Sequence, residues 1–202
     1  MKHVYRVIFF LVGIMMLTFG ISLTIKADLG AGPWDALNVG LASSFGLTIG
    51  SWVIIVGLVL IVINAFLLNA RPDVLAVFTI ALVGFLIDFW LLAVLGDWYY
   101  FQFRMKVFIL LVGLFSIGLG VAIYLQADFS PNPIDNFMIA IKYRFHVSFM
   151  MAKTVAEIVA LVLAFVVGGP VGIGTFVIGF CIGPFIHFFH PYFERLFSRI
   201  VR

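Results

Sequence analysis

Leu29-Gly30-Ala31-Gly32-Pro33-Trp34-Asp35 returns a hundred positions later as Phe129-Ser130-Pro131-Asn132-Pro133-Ile134-Asp135. Both stretches follow the same dipeptide, Ala27-Asp28 and Ala127-Asp128, which closes a long apolar run. Both then open a short amphipathic segment that leads into the next apolar run. A polar, helix-starting loop used twice in an otherwise greasy chain predicts a molecule built in two halves. With a shift of one hundred, Leu11-Val12-Gly13 meets Leu111-Val112-Gly113, and Gly20 meets Gly120. Asp28, Pro33, Asp35 and Phe45 meet Asp128, Pro133, Asp135 and Phe145. Further on the register slips by one, so Gly84 meets Gly183 and Asp88 meets His187.

The composition names the solvent. Of 202 residues 64% are hydrophobic and 10% charged, with a mean hydropathy of +1.24. A soluble domain of this size cannot hide that much apolar surface, so the chain is expected in lipid. A single cysteine, Cys181, excludes a disulfide within the chain and argues against a cysteine-based zinc site. The net charge of +3 reads as membrane orientation and lipid contact rather than nucleic-acid binding.

Six apolar runs, at about 4–26, 47–68, 74–95, 105–126, 148–168 and 172–190, approach the roughly 20 residues a bilayer demands. The first is too long for a signal peptide, and no small-residue cleavage site precedes Asp28, so it reads as a span. Trp98, Tyr99 and Tyr100 stand where an interfacial aromatic belt belongs. Lys2, Arg6, Arg71, Lys142, Arg144, Arg195, Arg199 and Arg202 fall on one side and Lys26, Arg104 and Lys106 on the other. That bias places both termini in the cytoplasm. Each half holds three spans, an odd number, so the halves must be inverted relative to one another. The predicted fold is therefore an all-α polytopic membrane protein with six transmembrane helices as two inverted three-helix repeats. Residues 1–202 form one membrane domain, with repeats at 4–95 and 105–190. In the tail, 191–202, Tyr192, Phe193, Leu196, Phe197, Ile200 and Val201 form a stripe opposite Arg195, Ser198, Arg199 and Arg202, as in a helix lying in the cytoplasmic headgroups.

After the first span of each half comes a helix start. Gly30 and Gly32 permit tight backbone, Pro33 suits the first helical position, and Asp35 the first turn. Trp34, Leu37, Leu41 and Phe45 share one face, and Asp35, Asn38 and Ala42 another. About a dozen residues reach about 18 Å, roughly half the bilayer. The segments 34–45 and 134–145 fit either re-entrant helices lining a cavity or amphipathic helices at the interface. Carboxylates at these helix starts suit a cation, proton or amine better than an anion.

Inside the spans, Lys153 and Glu157 stand one turn apart, with Glu157 near the middle of the fifth. An unpaired charge there costs roughly 2.5–3.5 kcal/mol, and the two can neutralise each other. An internal ion pair and a proton- or cation-binding Glu157 are both open. Asp88 reads as an interhelical hydrogen bond or a pocket near the outer surface, and His187 as an ordinary interface residue. Gly168 through Thr175 lacks the Lys-Ser/Thr ending of a nucleotide loop and reads as a tight turn with close helix packing. No enzyme signature, cofactor motif or metal-ligand cluster is legible. The site candidates are Glu157, Lys153, Asp35, Asp135, Asp88 and Asn38. The expected partners are the lipid bilayer and a small solute, not nucleic acid. Inverted repeats favour a proton-coupled secondary transporter of a small solute, with its site between the repeats. A non-transporting scaffold or regulator is the alternative, and a channel a weaker third.

As a set, Gly32-Pro33-Trp34-Asp35, Gly46-Leu47-Thr48-Ile49-Gly50, Ile87-Asp88, Lys153-Thr154 with Glu157, Gly168 through Thr175, and Ile182-Gly183-Pro184 resemble the YczE/YyaS/YitT-type small bacterial integral membrane proteins, with the likeness strongest to the YczE branch. The resemblance runs over nearly the whole chain. It implies a bacterial inner-membrane protein and bears on architecture more than on activity.

Overall fold

The computed structural model describes residues 2–96, 98, 102–130 and 132–201. Tyr99 and Tyr100 of the expected belt, Pro131 of the second loop and Arg202 of the tail lie outside these, as do the side chains of Lys2 and Val201. Among the described residues are eight α-helices and no strand: α1 (Lys2–Lys26), α2 (Pro33–Phe45), α3 (Ile49–Leu68), α4 (Val74–Asp88), α5 (Phe103–Tyr124), α6 (Pro133–Phe145), α7 (Phe149–Val166) and α8 (Ile173–Val201). Six helical stretches among the described residues are long and apolar enough to cross a membrane: His3–Lys26, Ile49–Leu68, Val74–Val94, Phe103–Ala127, Phe149–Val166 and Ile173–Ile200. The chain is a multi-pass helical membrane protein.

Local chemistry sets the helix starts. Thr48 and Ser148 occupy equivalent positions before α3 and α7, and their hydroxyls accept from Ser51 N at 3.1 Å and Met151 N at 3.2 Å. Asp73 caps α4 through Leu75 N and Ala76 N. Pro33 and Pro133 open α2 and α6, where a missing N–H costs nothing.

Two elements depart from expectation. The tail is not a separate helix, because α8 runs unbroken through Pro184 and Pro191. Each proline removes one donor, from the carbonyls of Phe180 and His187. Packing holds the continuation in place, with Phe197 edge-on to Phe9 at 5.0 Å. The third span also changes character after Asp88, where Phe89–Val94 is a π-helix and Leu95 N bonds Trp90 O at 2.8 Å. Across that wider turn Trp90 Nε1 donates to Thr18 Oγ1 at 3.1 Å, and its ring meets Phe19 at 5.0 Å.

Contacts divide the chain into two compact units, each drawing helices from both sequence halves. The first comprises residues 1–32, 89–129 and 172–202. Its backbone is the α1–α5 crossing, made close by glycine. A Cβ on Gly13 would lie 2.5 Å from Tyr124 N, and one on Gly20 2.6 Å from Gly113 O. Leu23, Ala27, Leu95, Ile109, Leu110, Leu114 and Ile178 form its apolar core. The buried hydroxyls of Thr18 and Ser22 donate to Ile14 O and Thr18 O within their own helix, so they leave no orphan in lipid. Ion pairs close both ends of the crossing: Arg6 Nη2–Asp128 Oδ2 at 3.3 Å and Lys106 Nζ–Asp28 Oδ2 at 2.6 Å. Both aspartates take left-handed backbone, φ 52° and 55°, as the chain leaves the helix.

The second unit comprises residues 33–88 and 130–171. In it α3 packs on α4, α2 on α7 and α3, and α6 on α3 and α7. Ala152, Ala156, Ala160 and Ala164 are fully buried along one edge of α7, while Val155, Ile158 and Val162 are exposed. This small-residue edge admits close helices without any hydrophobic drive from lipid. Gly40 of α2 lies against Val167 and Gly169, and Ser44 Oγ donates to Val167 O at 2.9 Å.

Candidate functional site

Most polar side chains inside the second unit are accounted for. Asp88 Oδ2 accepts from Thr48 Oγ1 at 2.5 Å, and its Oδ1 from Gly50 N at 2.7 Å. It thus completes the start of α3 from the end of α4, the interhelical bond that was one of its two readings. Ser130 Oγ donates to Asp73 Oδ2, and Asn64 Nδ2 to Pro133 O at 2.9 Å. Lys153 Nζ stands 3.6 Å from Glu157 Oε1, with both side chains between a quarter and a third exposed. The i,i+4 pair expected from the sequence is therefore formed, beside the alanine edge of α7.

α2 is different. Trp34, Leu37 and Asn38 are all buried, Asn38 to 3% exposure, so the helix hides its polar as well as its apolar face near its start. Trp34 Nε1 and Asn38 Oδ1 are enclosed without a hydrogen-bond partner among the described residues. Burying a polar atom unpaired costs about 1–3 kcal/mol, which makes two on one helical turn unusual. Asp35 lies between them in sequence. Asn38 neighbours Trp34 at i,i+4 and Asp35 at i,i+3, with Cβ atoms about 5–6 Å apart, and so stands between the two, whose own adjacent positions do not face each other. Across from them, Phe137 of α6 meets the Trp34 ring edge-on at 6.0 Å.

Asp35 belongs to no spanning helix. Its carboxyl is raised from 3.8 to about 7, and burial is the cause. Part of its surface stays open, yet loss of hydration outweighs the helix N-terminus, which alone would favour the ionised form. A carboxyl raised by burial to about 7 thus shares one helical turn with an unsatisfied amide oxygen and an unsatisfied indole N–H. Together they offer two acceptors, one donor and two aromatic rings. This is chemistry for a small cation or a protonated amine rather than an anion.

Of the predicted residues, Asp35 and Asn38 come together here. Glu157 and Lys153 pair with each other, and Asp88 holds a helix start. Asp135, partly buried in the first turn of α6, interacts within the protein. Two members of the polar set escaped the sequence reading. Trp34 was assigned to the apolar face for its ring, and its N–H was left out. Asn64, 6% exposed with Oδ1 unpartnered, was passed over although an amide inside an apolar run is the sort of residue that marks a site.

Comparison with known proteins gives the family but no activity. The chain is 41% identical over 142 residues to the uncharacterized protein YyaS of Bacillus subtilis (strain 168), covering 70% of this chain and 69% of that one. It is 34% identical over 141 residues to the uncharacterized membrane protein YczE of the same organism, covering 68% of this chain and 63% of that one. No solved structure matches. Residues 4–191 match DUF6198, a family of unknown function. The chain belongs to the DUF6198 family, and the two relatives bear out the YczE/YyaS-type resemblance of its motifs, with YyaS at higher identity than YczE, the branch the motifs favoured.

Proposed function

We propose that this protein is a secondary transporter of the bacterial inner membrane that exchanges a proton for a small cationic solute, an amine by preference. The site is the start of α2: Asp35 and Asn38 on its polar face, with the Trp34 N–H one turn before Asn38. The observation that carries this reading is the pair of orphaned buried polar atoms flanking a carboxyl raised to about 7. A solute with one cationic donor group and one acceptor would satisfy all three side chains. Taking up the cation favours loss of the Asp35 proton, and releasing it favours its return, so the two fluxes are coupled.

Support for inverted repeats comes from pairs that exchange under the hundred-residue shift. Arg6–Asp128 becomes Lys106–Asp28. The close approach of Gly13 to Gly120 becomes that of Gly113 to Gly20. Inverted repeats are the usual frame of alternating access. Lys153 and Glu157 remain secondary candidates, with Glu157 free to take a proton when the pair opens.

The test is a proteoliposome carrying a pH-sensitive dye inside, challenged from outside with a panel of small amines. A saturable, amine-dependent pH change that disappears in Asp35→Asn is expected. No response to any amine in the wild type, or equal responses in wild type and Asp35→Asn, would refute it.

A second reading has its own observation. Asp88 and the Lys153–Glu157 pair are engaged in holding helices, as expected of a non-transporting scaffold. In that case Glu157→Gln changes folding yield while no solute moves. The basic-residue bias places both termini in the cytoplasm, which a C-terminal reporter active only in the cytoplasm would check.

A further inference from the structure

In the second unit α3 and α6 end side by side. Asn69 terminates α3 and His146 terminates α6, both in left-handed backbone with φ 49° and 53°. Between them lies a cavity of about 210 Å³ lined by Leu67, Leu68, Asn69, Tyr143, Arg144 and His146. At about 30 Å³ per water it holds several waters or one compact polar group. Arg144 stands in the last turn of α6, exposed, and no carboxylate pairs with it among the described residues. Lys142 lies on the same turn, its Nζ 5.4 Å from the Tyr143 ring centre. Two helix C-termini bring about half a negative charge each, roughly one in all. Arg144 in the wall offsets that charge, and Lys142, outside the lining but on the same turn, tips the surroundings towards positive, which favours an anion.

The wall offers donors in a fork (Arg144), an amide (Asn69), a phenol (Tyr143) and an imidazole (His146). Several donors converging on a basic pocket fit a phosphate with its several acceptor oxygens. Next to the lining residues Leu67 and Leu68 on the same helix, Phe66, Val62 and Val59 stand at helical spacing, 81%, 64% and 53% exposed. That stripe is where an acyl chain would lie if the phosphate belonged to a lipid. We propose that this pocket seats the phosphate of an anionic phospholipid, with Arg144 as its main contact. On the basic-residue count this end faces the cytoplasmic leaflet, where anionic lipid attracts such residues. The site is separate from the α2 patch and does not depend on the transport reading.

The full-length protein, delipidated in neutral detergent, would be titrated with cardiolipin, with phosphatidylcholine, and with inorganic phosphate, and bound species counted by native mass spectrometry. Cardiolipin should be retained over phosphatidylcholine, and Arg144→Gln should reduce that retention by roughly fivefold. Arg144→Lys, which keeps the charge, should keep most of it, and Arg195→Gln on the tail should change little. Unchanged helicity and melting in Arg144→Gln exclude misfolding, and Lys142→Gln should give a smaller loss from the same fold. Equal cardiolipin retention in wild type and Arg144→Gln would overturn the proposal, as would equal losses in Arg144→Gln and Arg195→Gln. Arg144-dependent binding of inorganic phosphate with no preference for cardiolipin would overturn the lipid as occupant.

Discussion

Replacing Asp35 by Asn should abolish a pH dependence of stability that the wild type shows. In the folded protein burial raises this carboxyl from 3.8 to about 7. Between those values the native state holds a proton that the unfolded chain has released. The contribution of Asp35 to stability is therefore greatest below about pH 4, falls as pH rises towards about 7, and is flat above. Each unit corresponds to 1.36 kcal/mol, so the difference of about three units amounts to about 4 kcal/mol. Asp35 remains partly open to solvent, which makes that an upper figure. Over pH 5 to 7, about two units, the wild type should lose up to about 3 kcal/mol, a fall in Tm of roughly 5–10 °C for a chain of this size. The assay is thermal unfolding in one detergent at pH steps from 5 to 8, wild type against Asp35→Asn. The variant carries no titrating group at this position, so its curve should lack this component and cross the wild type, lying above it at pH 8. Subtracting one curve from the other removes whatever the two proteins share. Parallel curves would refute the burial of Asp35 as the source of its shift, and with it the proton-exchange reading.

Gly13→Val should lower Tm by overpacking the α1–α5 crossing, at about 1–3 kcal/mol, because its Cβ would sit 2.5 Å from Tyr124 N; an unchanged Tm would contradict that crossing. Asp88→Ala should cost about 1–3 kcal/mol by orphaning Gly50 N and the Thr48 hydroxyl, and hydrogen exchange should rise at the first turn of α3. Asp88→Asn, which keeps one acceptor, should lose less. Lys153→Met and Glu157→Met should each destabilise more than half as much as both together, because either alone strands a charge in the bilayer; simple additivity in a double-mutant cycle would show that the two do not interact.

The six spans were legible because lipid sets a length that apolar runs must meet, and α2 and α6 because Pro33 and Pro133 mark first helical positions. The Lys153–Glu157 pair followed from spacing alone. What escaped depended on tertiary partners. The tail at 191–202 reads from its amphipathic stripe as a surface helix of its own, but Pro191 withholds only one donor and α8 runs on, with Phe197 against Phe9. The π turn at Phe89–Val94 has no local signature, since its bonds are chosen by what Trp90 meets on α1. The exchanged pairs Arg6–Asp128 and Lys106–Asp28 stood in the alignment of the two halves, yet only the aspartates had been matched. For the candidate site, sequence supplies Asp35 and Asn38 together with Glu157 but nothing to choose between them. Depth within a span pointed to Glu157, whereas enclosure without a partner, which only packing reveals, pointed to α2.

The glycine crossing of α1 and α5 also bears on how the protein is made. Gly13 and Gly113 are a hundred residues apart, and at roughly 5–20 residues per second their partners are separated by about 5–20 s of synthesis. During that interval α1 sits in the bilayer with Gly13 and Gly20 uncovered. Lipid tails are as apolar as its side chains, so nothing but another close-packing helix can cover the groove. The nascent chain thus carries an open dimerisation surface until its own fourth span arrives. Slow translation between the two, or crowding by neighbouring ribosomes on one message, should raise the share of chains trapped with a second copy's first helix in that groove.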